Sequence, residues 1–244
     1  MNDIDMMKIT GIARKAGEEI LKIYDRDFSV EQKKDEGFEE GTSPLTEADK
    51  ASNKVIVEGL KELYPEIPVL SEEGKDIPYE KRKGWKRFWL VDPLDGTKEF
   101  IKRNGEFTVN IALVQGDTPV LGVVYVPVKD TLYYGIQGKD GIKKVGRQDP
   151  EELKPDQSTD EKGDLTVVAS RSHFTPETDK FVKDLREKNK GKEVKLVSAG
   201  SSVKLCLVAE GKADIYPRLG PTMEWDTAAA HAVVKSAGRN VYNF

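Results

Sequence analysis

Trp89 to Phe100 reads W-L-V-D-P-L-D-G-T-K-E-F, with two carboxylates, Asp92 and Asp95, at the end of an apolar run and just ahead of a Gly-Thr turn. Carboxylate oxygens are hard ligands and suit Mg²⁺, which takes carboxylates, water and substrate phosphate rather than an all-protein cage. Gly96 permits a sharp turn, and Thr97, Lys98, Glu99 and Phe100 fit the first turn of a helix, whose unpaired amides attract anions such as phosphate. The ordinary reading of Asp-Pro-x-Asp is a turn followed by a helix cap. That reading gives no reason for a second carboxylate, a glycine and a threonine to follow a buried strand, so a metal-and-phosphate site accounts for more of the residues.

Other carboxylates stand at the ends of elements. Asp49 opens a helix, Glu72 and Glu73 follow a short strand, and Asp226 opens a helix after Trp225. Each has an ordinary explanation: Thr46 with Asp49 fits a capping box, Glu72-Glu73-Gly74 fits a solvated turn, and Asp226 fits a cap on the Ala-rich helix behind it. Together they supply what Mg²⁺-dependent phosphate-ester hydrolysis needs, because two ions ~4 Å apart must be bridged and their charge balanced.

The elements that must position these groups are legible from periodicity. Ile9, Ile12, Ala13, Ala16, Ile20 and Ile23 predict an amphipathic helix over 5–24, and Ala51, Val55, Leu60 and Leu63 predict a second one from Thr46 to Pro65. Residues 31–43 between them read as a charged, Gly-containing loop. Val69 and Leu70 form a short strand into Glu72, and Phe88 to Val91 a strand that Pro93 should stop, because proline has no backbone donor. Residues 107–114, 120–126 and 131–136 predict an antiparallel meander. The polar stretch 147–163 reads as a surface linker, dividing an N-terminal α+β half (1–146) from a C-terminal α/β half (147–244). In the latter, strands at 165–169, 193–197 and 213–216 alternate with helices at 176–188, 201–210 and 226–237.

Composition narrows the functions available. A chain of 244 residues with 37% hydrophobic and 34% charged residues describes a globule with a heavily charged surface. A net charge of −4 argues against a nucleic-acid polymer as partner. The one cysteine, Cys206, and two histidines leave no intrachain disulfide and no thiolate zinc site, so a metal must be held by carboxylates. No stretch approaches the roughly 20 apolar residues of a transmembrane segment. The N-terminus lacks the regions of a signal peptide, so a reducing cytoplasm fits. Composition is compatible with a homodimer and with a peripheral contact at the inner membrane.

Glu72-Glu73, Asp92-Pro-Leu-Asp-Gly-Thr97 and Trp225-Asp-Thr-Ala-Ala229, present in that order, resemble the lithium-sensitive, magnesium-dependent phosphomonoesterases that include inositol monophosphatase. The resemblance runs from about Ala13 to Tyr242, and over Gly200 to Ala229 it is nearest to the bacterial bisphosphate nucleotidases. It implies a layered α/β/α/β/α sandwich. It also implies two Mg²⁺ ions: Glu72, Asp92 and the Leu94 carbonyl would hold the first, and Asp92, Asp95 and Asp226 the second. Glu72 would also help to anchor a third, looser ion. Asp49 would pair with Thr97 to orient and deprotonate the attacking water, and the Gly96 and Thr97 amides would bind phosphate. Ser170, His173, Ser201, Lys204, Arg218 and Asp226 would line the substrate side. The expected reaction removes the 3′-phosphate of adenosine 3′,5′-bisphosphate, a small-molecule nucleotide substrate, with Li⁺ as inhibitor. The rival expectations are an inositol monophosphatase or fructose-1,6-bisphosphatase activity, and a non-catalytic nucleotide-binding protein. The resemblance further implies a short strand and tail beyond Phe244.

Overall fold

The computed structural model describes residues 3–34, 42–154, 163–172 and 174–243. The apolar stripe of the first segment forms helix α1 (Met6–Tyr24), opened by Asp5, whose side chain accepts from the Met7 N–H at 2.9 Å. The stretch expected as a loop over 31–43 carries strands at both ends. Here β1 (Val30–Lys34) pairs antiparallel with β2 (Thr42–Thr46), residues 35–41 lying outside the description. A surface hairpin satisfies its backbone groups without an apolar face, so hydrophobic patterning does not reveal it.

Thr46 caps helix α2 (Glu47–Leu63), accepting from the Ala48 N–H at 3.2 Å while its own N–H reaches the Asp49 carboxylate at 2.8 Å. Strand β3 (Val69–Ser71) follows, then the single helical turn α3 (Tyr79–Arg82), then β4 (Arg87–Asp95), parallel to β3. Pro93 does not stop β4. The strand runs on to Asp95 because a register shift between Asp92 and Asp95 leaves the proline unpaired in a bulge. Helix α4 (Thr97–Ile101) starts immediately after it.

Strands β5 (Thr108–Gln115), β6 (Thr118–Val126) and β7 (Thr131–Ile136) form the expected antiparallel meander, which β8 (Gly141–Val145) and β9 (Glu151–Leu153) extend. The sequence order β3-β4-β5-β6-β7-β8-β9 is also the order in the seven-stranded sheet. The expected linker from residue 147 thus carries a short edge strand, too polar to be seen by alternation, and residues 155–162 lie outside the description. Strand β10 (Leu165–Ser170), helix α5 (Pro176–Lys188) and strand β11 (Val194–Ala199) follow, with β10 and β11 parallel. Helices α6 (Val203–Ala209) and α7 (Glu224–Ser236) complete the order. The strand expected over 213–216 is reduced to one bridge, Val167 with Ile215, since Pro217 has no donor with which to extend a ladder.

Helices α1 and α2 bury Ile9, Ile20, Ile56 and Leu60 against Trp89, Ile111, Leu113 and Val123 on one face of the large sheet. The other face, with Ala112, Val124 and Tyr133, packs on the alanine stripe of α7 and on α6. Close approach is obligatory there, because a Cβ on Gly122 would stand 2.0 Å from the Ala229 carbonyl oxygen. Beyond α6 and α7 lies the β10–β11 pair, covered outside by Val182 and Phe181 of α5. This is the α/β/α/β/α layering that the sequence resemblance implies. Among the described residues, no helix is long and apolar enough to cross a membrane.

Candidate active site

The carboxylates converge where β3, β4 and α7 meet. Glu72 directly follows β3, its N–H bonding the Val91 carbonyl at 3.1 Å. Asp92 lies opposite Asn110 of β5, is 1% exposed, and accepts from the Leu94 N–H at 3.0 Å. Asp95 closes the bulge opposite Thr108 and accepts from the Ser202 N–H at 2.6 Å. Asp226 does not open α7 but sits third in it. There it accepts from the Thr222 hydroxyl at 2.8 Å and the Met223 N–H at 3.1 Å, capping the helix from inside.

These groups repel one another. Burial pushes Asp92 well above the usual carboxylate range, and the charges of Glu72, Asp95 and Asp226 push it further. Burial and Asp226 raise Asp95 against the opposing pull of Lys204 and Ser202, and burial raises Asp226. Among the described residues, no three carboxylate, imidazole or thiol groups already form a compact metal cage. The donors instead suit an ion that takes one or two carboxylates and fills its shell with water and phosphate, as Mg²⁺ does. Three raised carboxyls, Asp92, Asp95 and Asp226, with the charge of Glu72 acting on Asp92, call for such a counter-ion.

Asp49 divides its work between its two oxygens. Oδ2 accepts from the Thr46 N–H at 2.8 Å and the Thr46 hydroxyl at 2.6 Å, which is the capping box. Oδ1 accepts from the Thr97 hydroxyl at 3.3 Å, and that hydroxyl also lies 3.5 Å from the Leu94 carbonyl oxygen. The capping and chemical readings of Asp49 are therefore compatible. Burial raises its carboxyl to about 6, although both Thr46 donors act to lower it. Gly96, at φ +92°, supplies the turn between Asp95 and Thr97, in a conformation glycine adopts without strain.

On the other side, Ser170 ends β10 and is nearly buried, whereas His173 lies outside the described residues. Ser201 adopts φ +44°. Lys204 is 5% exposed, with Nζ 2.5 Å from the Ser201 carbonyl oxygen and 5.5 Å from the centre of the Tyr216 ring. Burial lowers its ammonium pKa, and the Asp95 charge opposes the shift. Arg218 donates to the Pro221 carbonyl at 2.5 Å, and its charge reaches both Lys204 and Asp226. Sequence reasoning missed Ser202, whose hydroxyl donates to the Asp226 carbonyl at 2.7 Å and accepts from Asn110 Nδ2 at 3.0 Å. The available signal was Thr108 and Asn110, polar residues two apart in an otherwise apolar strand.

Residues 5–244 match the model of the inositol monophosphatase family. The chain belongs to that family. Within it, the chain is 48% identical over 239 residues to the 3′(2′),5′-bisphosphate nucleotidase CysQ of Salmonella typhimurium, covering 97% of this chain and 89% of the relative. The crystal structure of CysQ from Bacteroides thetaiotaomicron, described as a bacterial member of the inositol monophosphatase family, superposes with a TM-score of 0.81 at 49% identity. The match covers 95% of this chain and 86% of that one. The IMPase of Thermotoga maritima, at 23% identity, has a TM-score of 0.73 over 98% of this chain and 84% of its own, and shares the inositol monophosphatase fold.

Proposed function

We propose that this family member is a Mg²⁺-dependent 3′(2′),5′-bisphosphate nucleotidase that converts adenosine 3′,5′-bisphosphate and water into AMP and phosphate. The observation that carries the reading is the set Glu72, Asp95 and Asp226 gathered round the buried Asp92, beside the Asp49–Thr97 pair, in a chain 48% identical to a nucleotidase over nearly its whole length.

Glu72, Asp92, the Leu94 carbonyl, Asp95 and Asp226 would hold two ions, with Glu72 also anchoring a third. When bound, Mg²⁺ would acidify the attacking water and offset charge on the phosphate and leaving oxygen. Asp49 Oδ1, which accepts from the Thr97 hydroxyl, would orient the water and take its proton, while Oδ2 stays in the cap. The Gly96 and Thr97 amides bind the phosphate under attack. Lys204 and Arg218, with Ser170, His173 and Ser201, meet the rest of the nucleotide, a point charge and a fork suiting the second phosphate. The division of labour follows the two halves: 1–146 carries most ligands, and 147–244 carries Asp226 and the nucleotide contacts. A cytoplasmic setting belongs to this reading.

Phosphate release with Mg²⁺ from adenosine 3′,5′-bisphosphate, inositol 1-phosphate and fructose 1,6-bisphosphate, each with and without Li⁺, tests it. Fast, lithium-sensitive release from the nucleotide is expected. Preference for a sugar phosphate would move the substrate class, and no release from any of the three would leave a nucleotide-binding protein.

A further inference from the structure

Glu106 stands just ahead of β5, two residues before Thr108, and Thr108 and Asn110 of β5 share one face of the strand. Each meets the successive residue of the turn between β11 and α6. The Gly200 N–H donates to Glu106 Oε2 at 2.8 Å, Thr108 donates its hydroxyl to Ser201 Oγ at 3.3 Å, and Asn110 Nδ2 donates to Ser202 Oγ at 3.0 Å. Glu106 also receives Arg171 Nε at 2.9 Å and Nη2 at 3.0 Å, and the same Nη2 reaches the Ser198 carbonyl at 3.0 Å, so the clamp grips the chain on both sides of Ala199.

The turn needs such a clamp. A Cβ on Gly200 would stand 2.6 Å from Glu99 Cγ and 2.8 Å from the Glu106 carbonyl oxygen. Ser201 holds a left-handed conformation, which a non-glycine residue keeps only where its surroundings over-determine it. What the turn carries bears on the chemistry: the Ser202 N–H on Asp95, the Ser202 hydroxyl on the Asp226 carbonyl, and the Ser201 carbonyl under Lys204.

We propose that Glu106, Thr108 and Asn110 are positioning residues, a three-step register running from the approach to β5 into its first residues, that sets the 200–202 turn of the C-terminal half. The Glu106 end places Ser201 and Lys204 for the nucleotide, and the Asn110 end fixes Asp95 and Asp226 relative to each other. The kinetic part of this inference rests on the nucleotidase reading, whereas the structural part does not.

Full-length wild type, E106A, E106Q and T108V would be compared by amide hydrogen exchange over 199–204 and by initial rates with adenosine 3′,5′-bisphosphate. E106A and T108V should speed exchange in that segment about tenfold or more while β6 stays protected, and raise KM about tenfold with kcat within about threefold. E106Q keeps an acceptor for the Gly200 N–H and should fall between wild type and E106A. Wild-type exchange in the turn, or a loss confined to kcat, overturns the proposal. If E106A loosens the whole sheet, T108V, which removes one hydroxyl, decides. Should wild type leave the nucleotide intact, the nucleotidase reading fails, and exchange alone then decides for or against the register.

Discussion

Asp49 holds a helix start with one oxygen and faces Thr97 with the other, so its two duties separate under substitution. Asp49→Asn keeps one acceptor oxygen, enough to serve the Thr46 cap, and puts an amide NH2, which cannot take a proton, where Oδ1 faces Thr97. Turnover should fall about 10²-fold or more with nucleotide affinity little changed. Because the carboxyl must be ionised to act and burial raises it to about 6, wild-type kcat/KM should decline as pH falls through that value, and the pH–rate profile checks both points. Asp92 gives a second test. Its ionised form is disfavoured by burial and by three carboxylates, so at neutral pH Asp92→Asn removes a cost from the metal-free protein. Melting in chelator should show the variant at least as stable as wild type, with the Mg²⁺-induced rise in Tm reduced. At this scale Asp92 and Asp95 were legible because their chemistry is local in the chain. Ser202 and Glu106 were not, since they act on partners about a hundred residues away.

Elements were legible where a face is buried and obscure where it is not. Helices α1, α2 and α5 and strands β5 to β7 follow apolar periods, whereas β1, β2, β8 and β9 are short, polar or peripheral. The bulge in β4 shows why Pro93 misled. A proline ends a ladder only where its missing donor would have been paired, and here the extra residues turn Asp95 toward α6. The short helix α6 is anchored at its far end by Glu210, which accepts from Tyr133 of β7 and pairs with Lys143 of β8 at 2.7 Å and Lys212 at 2.6 Å. Burial pushes the Glu210 carboxyl up, but these three donors outweigh it and hold it below its usual value. Its stabilisation is therefore full above the unfolded value of about 4.3 and fades as pH falls through the lower folded one. Glu210→Gln should cost about 2–4 kcal/mol in urea denaturation at pH 7, with the difference from wild type shrinking below pH ~4.

On the scale of the whole molecule, the carboxylates come from the ends of β3 and β4 and from α7, and α7, which brings Asp226, is also the helix packed hardest against the seven-stranded sheet. Site and core are thus assembled together. The five-layer order was legible through motif resemblance. Periodicity alone gave two halves and could not reveal that α6 and α7 lie between the two sheets, because layer order depends on contacts far apart in sequence. In the proposed function these carboxylates serve Mg²⁺-dependent release of phosphate from a nucleotide. The most direct measurement is phosphate release from adenosine 3′,5′-bisphosphate across a Mg²⁺ titration, for wild type and Asp95→Asn. Wild type should show saturable Mg²⁺ dependence, and the variant a loss of about 10²-fold or more at every Mg²⁺ concentration. Release that persists in chelator, or that Asp95→Asn leaves intact, would contradict it.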